Sequence, residues 1–478
     1  LENWARSDSP DSAAAIEILD PVLARSGDHA RRIAIRESRF AGAPAGERTR
    51  LSAEIRAIYE RDMGQPQAAF MQALKAFTDG IDRDGIRPEL ERLARETEAF
   101  EELAEIYESA AEEADAEQKQ SLLRRAAEVR EQLQQPDDAI RDWKALLELQ
   151  PQDRQALDSL SRLFEKSQNA KSLSEVLARK AQVAVDPAER LELLTKAGEA
   201  YEASGNDPAA IDAFKSALAL KKSPEAFVAL DRLFGKAKRY LEQADVLDQL
   251  AGITNDDTLR LQYLLRRAQL LEKESQHVEA LRAFGTVLEV SPLEANAVAG
   301  LERLMAVEPV RPDAARLLEP CYRRLKDIKK LVDVLEVRVA IANPELRLPL
   351  LTEIAVLREG LGQKPLAFAA RLRAFTEAPQ DEQTREELER LAADLGAFEE
   401  LAAAYEDTLE RGAEEALADD LWRRLAAIYG DRLQRLDLAA RAWNEVLTRD
   451  PRNLFVLDAL ARIFRKTSDF KNLSLVMR

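Results

Sequence analysis

The sequence predicts an all-α protein, a solenoid of about 26 antiparallel helices. Three observations carry this. Ala, Leu, Glu and Arg, all strong helix formers, dominate a chain of 478 residues that holds only 17 Gly and 19 Pro. No run alternates β-branched residues in the manner of a strand. And one triplet, a small residue followed by an aromatic and then a proline, keeps returning: Ala139, Trp143 and Pro151; Ala280, Phe284 and Pro292; Ala439, Trp443 and Pro451.

The chain is too long for one compact core, and 46% hydrophobic with 33% charged residues is a folding composition. A repeat array satisfies both. The alanines Ala69, Ala139, Ala210, Ala280, Ala367 and Ala439 are spaced 70, 71, 70, 87 and 72 residues apart. A small residue lets two helices approach closely, and an aromatic one turn later fills the space beside them. Proline cannot continue a helix and fixes where the next one starts. Ala367 and Pro379 keep the ends of the pattern, but Arg371 stands in the aromatic slot.

Residues 1–50 read as an N-terminal helical cap, a partial copy of a larger repeat. Residues 51–310 read as four modules of about 70 residues, the last incomplete. The long 87-residue interval marks an inserted helical hairpin, 311–347, with Pro309, Pro312 and Pro320 flanking its first helix. Residues 348–478 continue the array and stop within its last hairpin. Asp20-Pro21 aligns with Glu319-Pro320, and 90–104 matches 388–402 at 11 of 15 positions, so the modules themselves group into a super-repeat of about 300 residues.

Trp422, Leu425, Ala426, Tyr429, Ala439, Trp443 and Pro451 follow the pattern of the tetratricopeptide repeat, with Ala for Gly and one extra residue in the hairpin turn. Leu194, Gly198, Tyr201, Gly205, Ala210 and Phe214 give a second copy. Over roughly residues 51–478 the chain resembles that family, and most of all its very large multi-repeat members from GC-rich bacteria. The resemblance implies a right-handed superhelix with a concave groove lined by first helices. Gly64, Gly205 and Gly362 fall where the family turns between helices. The second hairpin of each module departs from it, with Leu103, Leu173, Leu331, Leu401 and Leu473 near a position the family keeps small.

The function expected is a non-enzymatic scaffold that presents this groove to protein partners; the alternative is a structural spacer or envelope-associated element. Phosphate-binding glycine loops, nucleophile elbows and cysteine-based metal sites are missing, so no catalytic residue, cofactor or metal is expected. A net charge of −17 excludes general nucleic-acid binding. No apolar run spans a membrane, and the start is not a signal peptide. It also lacks Met, so the chain reads as a piece of a larger protein, cytoplasmic by expectation with the periplasm open.

Two sets of side chains are candidates for partner binding. A dibasic pair recurs in first helices, from which Arg124, Arg266 and Arg423 are expected to form a cationic ladder for carboxylates. The plainer alternative pairs Arg124 with Glu128. Acidic blocks at 51–120 (18 acids, 8 bases) and 381–420 (15 acids, 3 bases) occupy equivalent places, with Glu101, Glu102 and Glu105 in one and Glu399 and Glu400 in the other. The family's clamp for acidic C-terminal tails needs Lys and Asn four apart, which is absent here. Cys321, Trp143, Phe214, Phe284 and Trp443 are expected to be core; His29 and His277 are expected on the surface near turns.

Overall fold

The computed structural model describes Ala5 and residues 12–477. Every regular element among them is helical. The chain divides into two compact units, Leu1–Leu233 and Phe234–Arg478.

Unit 1 runs through α1 (Ser12–Arg25), α2 (His29–Phe40), α3 (Ala45–Ala57), α4 (Pro66–Thr78), α5 (Arg83–Thr97) and α6 (Phe100–Glu113). It continues with α7 (Ala116–Gln132), α8 (Pro136–Leu149), α9 (Arg154–Lys166), α10 (Ala170–Val183), α11 (Pro187–Ala203) and α12 (Asp207–Leu220). Helix α13 (Pro224–Lys236) spans the division. Unit 2 holds α14 (Tyr240–Ile253), α15 (Asp257–Lys273), α16 (His277–Val290), α17 (Ala295–Leu304), α18 (Arg311–Leu325), α19 (Ile328–Ile341) and α20 (Pro344–Gly360). It ends with α21 (Lys364–Glu377), α22 (Glu382–Leu395), α23 (Phe398–Glu410), α24 (Glu415–Ala427), α25 (Leu436–Arg449), α26 (Leu454–Lys466) and α27 (Phe470–Met477).

A module is four helices, as in α7 to α10. The residues that start and stop them are local. Asp115, Asp153, Asn169, Asp186, Asn206 and Asp256 accept a backbone N–H at the first turn of their helices. Pro66, Pro136 and Pro187 open α4, α8 and α11, where a missing N–H costs nothing. Each first hairpin closes through a left-handed residue: Gly64, Gln134, Gly205, Ser275, Gly362 and Gln434. After Gly205, the Asn206 N–H reaches back to the Tyr201 carbonyl at 2.9 Å, closing the last turn of α11.

Two first helices are one residue longer than their counterparts. Helices α3 and α24 each end in a π-helical turn, Ile58–Asp62 and Ile428–Arg432. The extra residue in the Trp422–Pro451 copy is therefore wound into the helix, and the turn after it, 433–435, is as short as the turn at 133–135.

In the fourth module, α17 is only 10 residues long, and α18 follows it after the turn that holds Pro309. Pro312 sits in the first turn of α18, but Pro320 lies inside that helix and does not bound it, as Pro21 lies inside α1.

Both cores are built from the repeating small and aromatic positions. In unit 1, Ala69, Ala139 and Ala210 are fully buried, with Trp143 and Phe214 beside them. In unit 2, Ala280, Ala367 and Ala439 are as deeply buried, with Phe284 and Trp443. The aromatics are core, not a ligand box. Cys321 is buried too, its Sγ 3.4 Å from the Leu317 carbonyl and 3.5 Å from that of Pro292. His29 and His277 open α2 and α16 and are partly exposed.

Candidate protein-interaction surfaces

The aromatic of a module's second helix meets small residues of the helices before and after it. On α11, a Cβ added at Gly198 would fall 2.8 Å from the Phe214 ring of α12. On α17, one added at Gly300 would fall 2.3 Å from the Phe284 ring of α16. Small residue against ring, with Tyr201 one turn on from Gly198, is the packing the motif encodes. The hairpins are tetratricopeptide-like. No family profile matches the chain, and no curated protein does. Among solved structures it is similar to a chain of the Naa15/Naa10 complex bound to HypK-THB, at 16% identity over 97% of this chain and 62% of that one, with a TM-score of 0.26. It therefore spans less than two thirds of that protein. It is also similar to YrrB, a TPR protein with an unusual peptide-binding site (17% identity, 38% of this chain, 91% of that one, TM-score 0.24). A third is PilF of Pseudomonas aeruginosa (16% identity, 42% of this chain, 96% of that one, TM-score 0.21). The fold assignment stands on the hairpin packing, not on these superpositions.

The tetratricopeptide-like first helices carry the expected arginines, but these are already engaged. Arg124 on α7 places Nη2 2.5 Å from Asp153 Oδ2, while Asp153 Oδ1 accepts the Ala156 N–H that starts α9. Arg124 thus ties one hairpin to the cap of the next. Glu128 belongs instead to Arg125, at 2.9 Å. On α24, Arg423 Nε lies 2.8 Å from Asp419 Oδ2, and Arg424 bonds Glu389 and Asp420 at 2.9 and 2.8 Å. Arg266 on α15 is not free either.

A second arginine series, not anticipated from the sequence, is more regular. In unit 1, Arg92 reaches Glu60 at 2.7 Å, Arg162 reaches Glu131 at 2.5 Å, and Arg232 holds Glu202 bidentately at 2.8 and 2.6 Å. In unit 2, Arg303 holds Glu272 at 2.6 and 2.7 Å and Arg390 holds Glu359 at 2.9 and 2.8 Å. Each clasp joins the third helix of a module to the end of its first. The signal was present: every one of these arginines is the third residue of a Leu-x-Arg-Leu, with a glutamate about 31 residues earlier, one hairpin back. Trp143 joins in, its indole N–H donating to Glu131 at 2.8 Å.

The acidic helices are different. On α6, Glu108 is held by Arg130 and Arg141 at 2.9 and 3.3 Å, and Glu101 accepts weakly from Gln135 at 3.5 Å. Glu102, Glu105, Glu112 and Glu113 are exposed and have no partner. On α23, Glu399 meets Arg435 at 2.8 Å and Glu400 is exposed and unpaired. Beside α6 lies Asp142 of α8, 3% exposed, with Oδ2 unbonded. Burial, and then the negative charge of Glu108, pushes its carboxyl up to about 7. Among the described residues no group of three His, Cys, Asp or Glu side chains is placed to hold a metal, and no helix is long and apolar enough to cross a membrane.

Proposed function

We infer that this chain is a non-enzymatic protein-interaction scaffold whose docking charge is carried by the outward acids of α6 and α23. One observation supports this most. Arg124, Arg423 and the Leu-x-Arg-Leu arginines are spent on neighbouring carboxylates, whereas Glu102 and its equivalent Glu400 are exposed and unpaired in both units, joined in unit 1 by Glu105. Free charges steer an encounter, while paired ones need a partner swap first. The favoured partner is a basic protein segment, bound less tightly as salt rises. The cationic ladder of Arg124, Arg266 and Arg423 is kept as a competing surface for acidic partners. A cytoplasmic location goes with this reading.

The test is affinity capture from cell extract by immobilised protein, quantified at low and high salt. The acid-neutralised variant Glu101→Gln, Glu102→Gln, Glu105→Gln, Glu399→Gln, Glu400→Gln should lose the salt-sensitive partners about tenfold or more. The variant Arg124→Glu, Arg266→Glu, Arg423→Glu should keep them. Loss in the arginine variant alone would move the site to the first helices. Salt-sensitive capture by neither variant nor wild type would favour a spacer.

A further inference from the structure

Helices α4, α6, α8 and α10 are the second and fourth helices of consecutive modules, and the gap between such a pair is closed differently from module to module. Between α4 and α6 it is bridged by rings: Phe77 and Tyr107 are both buried and stand edge to face, centroids 5.6 Å apart. The next module has Leu147 and Leu177 at these positions. Leu177 packs away from the gap, with Ala181, Leu193 and Ala197. What is left between α8 and α10 is an open groove of 620 Å³, with Leu147, Phe164 and Val176 at its base.

Unit 2 repeats the alternation. Phe375 and Tyr405, with centroids 5.2 Å apart, bridge α21 and α23. Leu447, Phe464 and Val476 line a groove of 870 Å³ between α25 and α27. In both units the groove therefore belongs to the module that follows the ring pair.

The charges around the unit 1 groove set the occupant. Glu148 and Glu175 stand on its rim without a partner. Lys144, one turn before Glu148 on α8, is drawn over the Phe164 ring at 5.4 Å, and Arg179, one turn after Glu175 on α10, is the rim's other cation. The far flank of α8 borders the acidic α6, through Gln135 to Glu101 and Arg141 to Glu108. Neighbouring helices lie roughly 10 Å apart, so the unpaired Glu102 and Glu105 are within reach of a segment seated in the groove.

We propose that the groove between α8 and α10 is a docking site for an aromatic side chain carried on a basic segment of a partner protein. The ring takes the space that Phe77 and Tyr107 fill in the preceding module, against Phe164, and lysines or arginines beside it face Glu148, Glu175 and the acids of α6. This rests on the scaffold reading and places its first anchor on second and fourth helices rather than on first helices.

The experiment uses the 478-residue chain and a lysine-rich peptide carrying one p-benzoylphenylalanine. Photo-cross-links are mapped by mass spectrometry. They should fall within 144–183 and, in the second groove, 436–476. A competitor with phenylalanine at that position should suppress them, and the same peptide with alanine should need at least tenfold more. The variant Leu147→Phe, Leu177→Tyr transplants the ring pair; it should lose the first set of cross-links at least fivefold and keep the second, which doubles as a check of folding. Cross-links on α7 or α11, an alanine competitor as effective as phenylalanine, or a first set untouched by the ring pair would each overturn the proposal. If the variant loses both sets, the competition on wild-type protein decides. Failed cross-linking with salt-sensitive capture by α6 and α23 intact would sink the groove alone; failure of both would sink the scaffold.

Discussion

At the scale of single residues, the informative positions are those where one module breaks the rule of the others. Asp142 is one. Its equivalents are Ala213, Ala283, Ala370 and Ala442, all buried, and the uncharged Gln72 in the first module. A carboxyl whose folded pKa lies near 7, well above the ordinary aspartate value, binds its proton more tightly in the fold than in the unfolded chain. Its contribution is then fully present only below the ordinary aspartate value and is lost as pH rises through about 7. Asp142→Ala should raise stability at pH 8 by on the order of 2 kcal/mol, and the gain should shrink towards pH 5. Urea unfolding at the two pH values checks this; an equal effect at both would contradict it. Arg371 is the other exception. It occupies the aromatic slot, 6% exposed, with no hydrogen bond or ion pair, and burial holds its guanidinium below the ordinary arginine value. Arg371→Trp should stabilise the hairpin by ~1–2 kcal/mol, because the indole fills the slot and Glu359 can accept its N–H as Glu131 does from Trp143. A drop in the melting temperature would show that the buried charge is needed.

At the scale of helices and turns, the left-handed residue that closes each hairpin is a design rule with an unequal choice of residue. Gly64, Gly205 and Gly362 meet it without strain, but Gln134, Ser275 and Gln434 adopt φ of 58°, 57° and 56°. A side chain in that conformation costs about 1 kcal/mol, so Gln134→Gly and Gln434→Gly should each stabilise by ~0.5–1 kcal/mol in thermal unfolding. Lowered stability would mean that the glutamine side chain itself holds the turn; Gln134 is the weaker case for that, since only the backbone of Gln134 is bonded, to Glu131 at 3.1 Å. The same turns show what was legible in the sequence. Hairpin number, module spacing and the buried Ala and aromatic positions follow from a period and a steric rule, and a period survives without coordinates. The π-helical turns at 58–62 and 428–432 did not follow, because one extra residue can be absorbed by helix or by loop and the sequence weighs them equally. Pro320 was misplaced for a related reason. Proline breaks a helix only where its lost N–H and crowded ring cannot be tolerated, and α18 tolerates both.

At the scale of the whole molecule, charge is the quantity that links fold to function. The chain carries 70 basic and 87 acidic side chains. Which of them are free was not legible, because Arg92, Arg162, Arg232, Arg303 and Arg390 look like ordinary surface residues until their glutamates come round from the preceding hairpin. Arg124 shows the same limit: sequence spacing offered Glu128 one turn away, and the fold supplied Asp153 from the next hairpin. With the cations of these clasps neutralised, the proposed docking charge is that of the unpaired acids of α6 and α23. Because helical repeats respond locally to what touches them, binding should leave its mark on the helices contacted and their neighbours. The most direct measurement is hydrogen exchange of the protein with and without the most salt-sensitive partner it captures. Slowed exchange centred on α6 and α23, and falling away within one hairpin on either side, is the result predicted. Protection centred on the first helices α7, α15 and α24, where Arg124, Arg266 and Arg423 lie, with α6 and α23 unchanged, would contradict it.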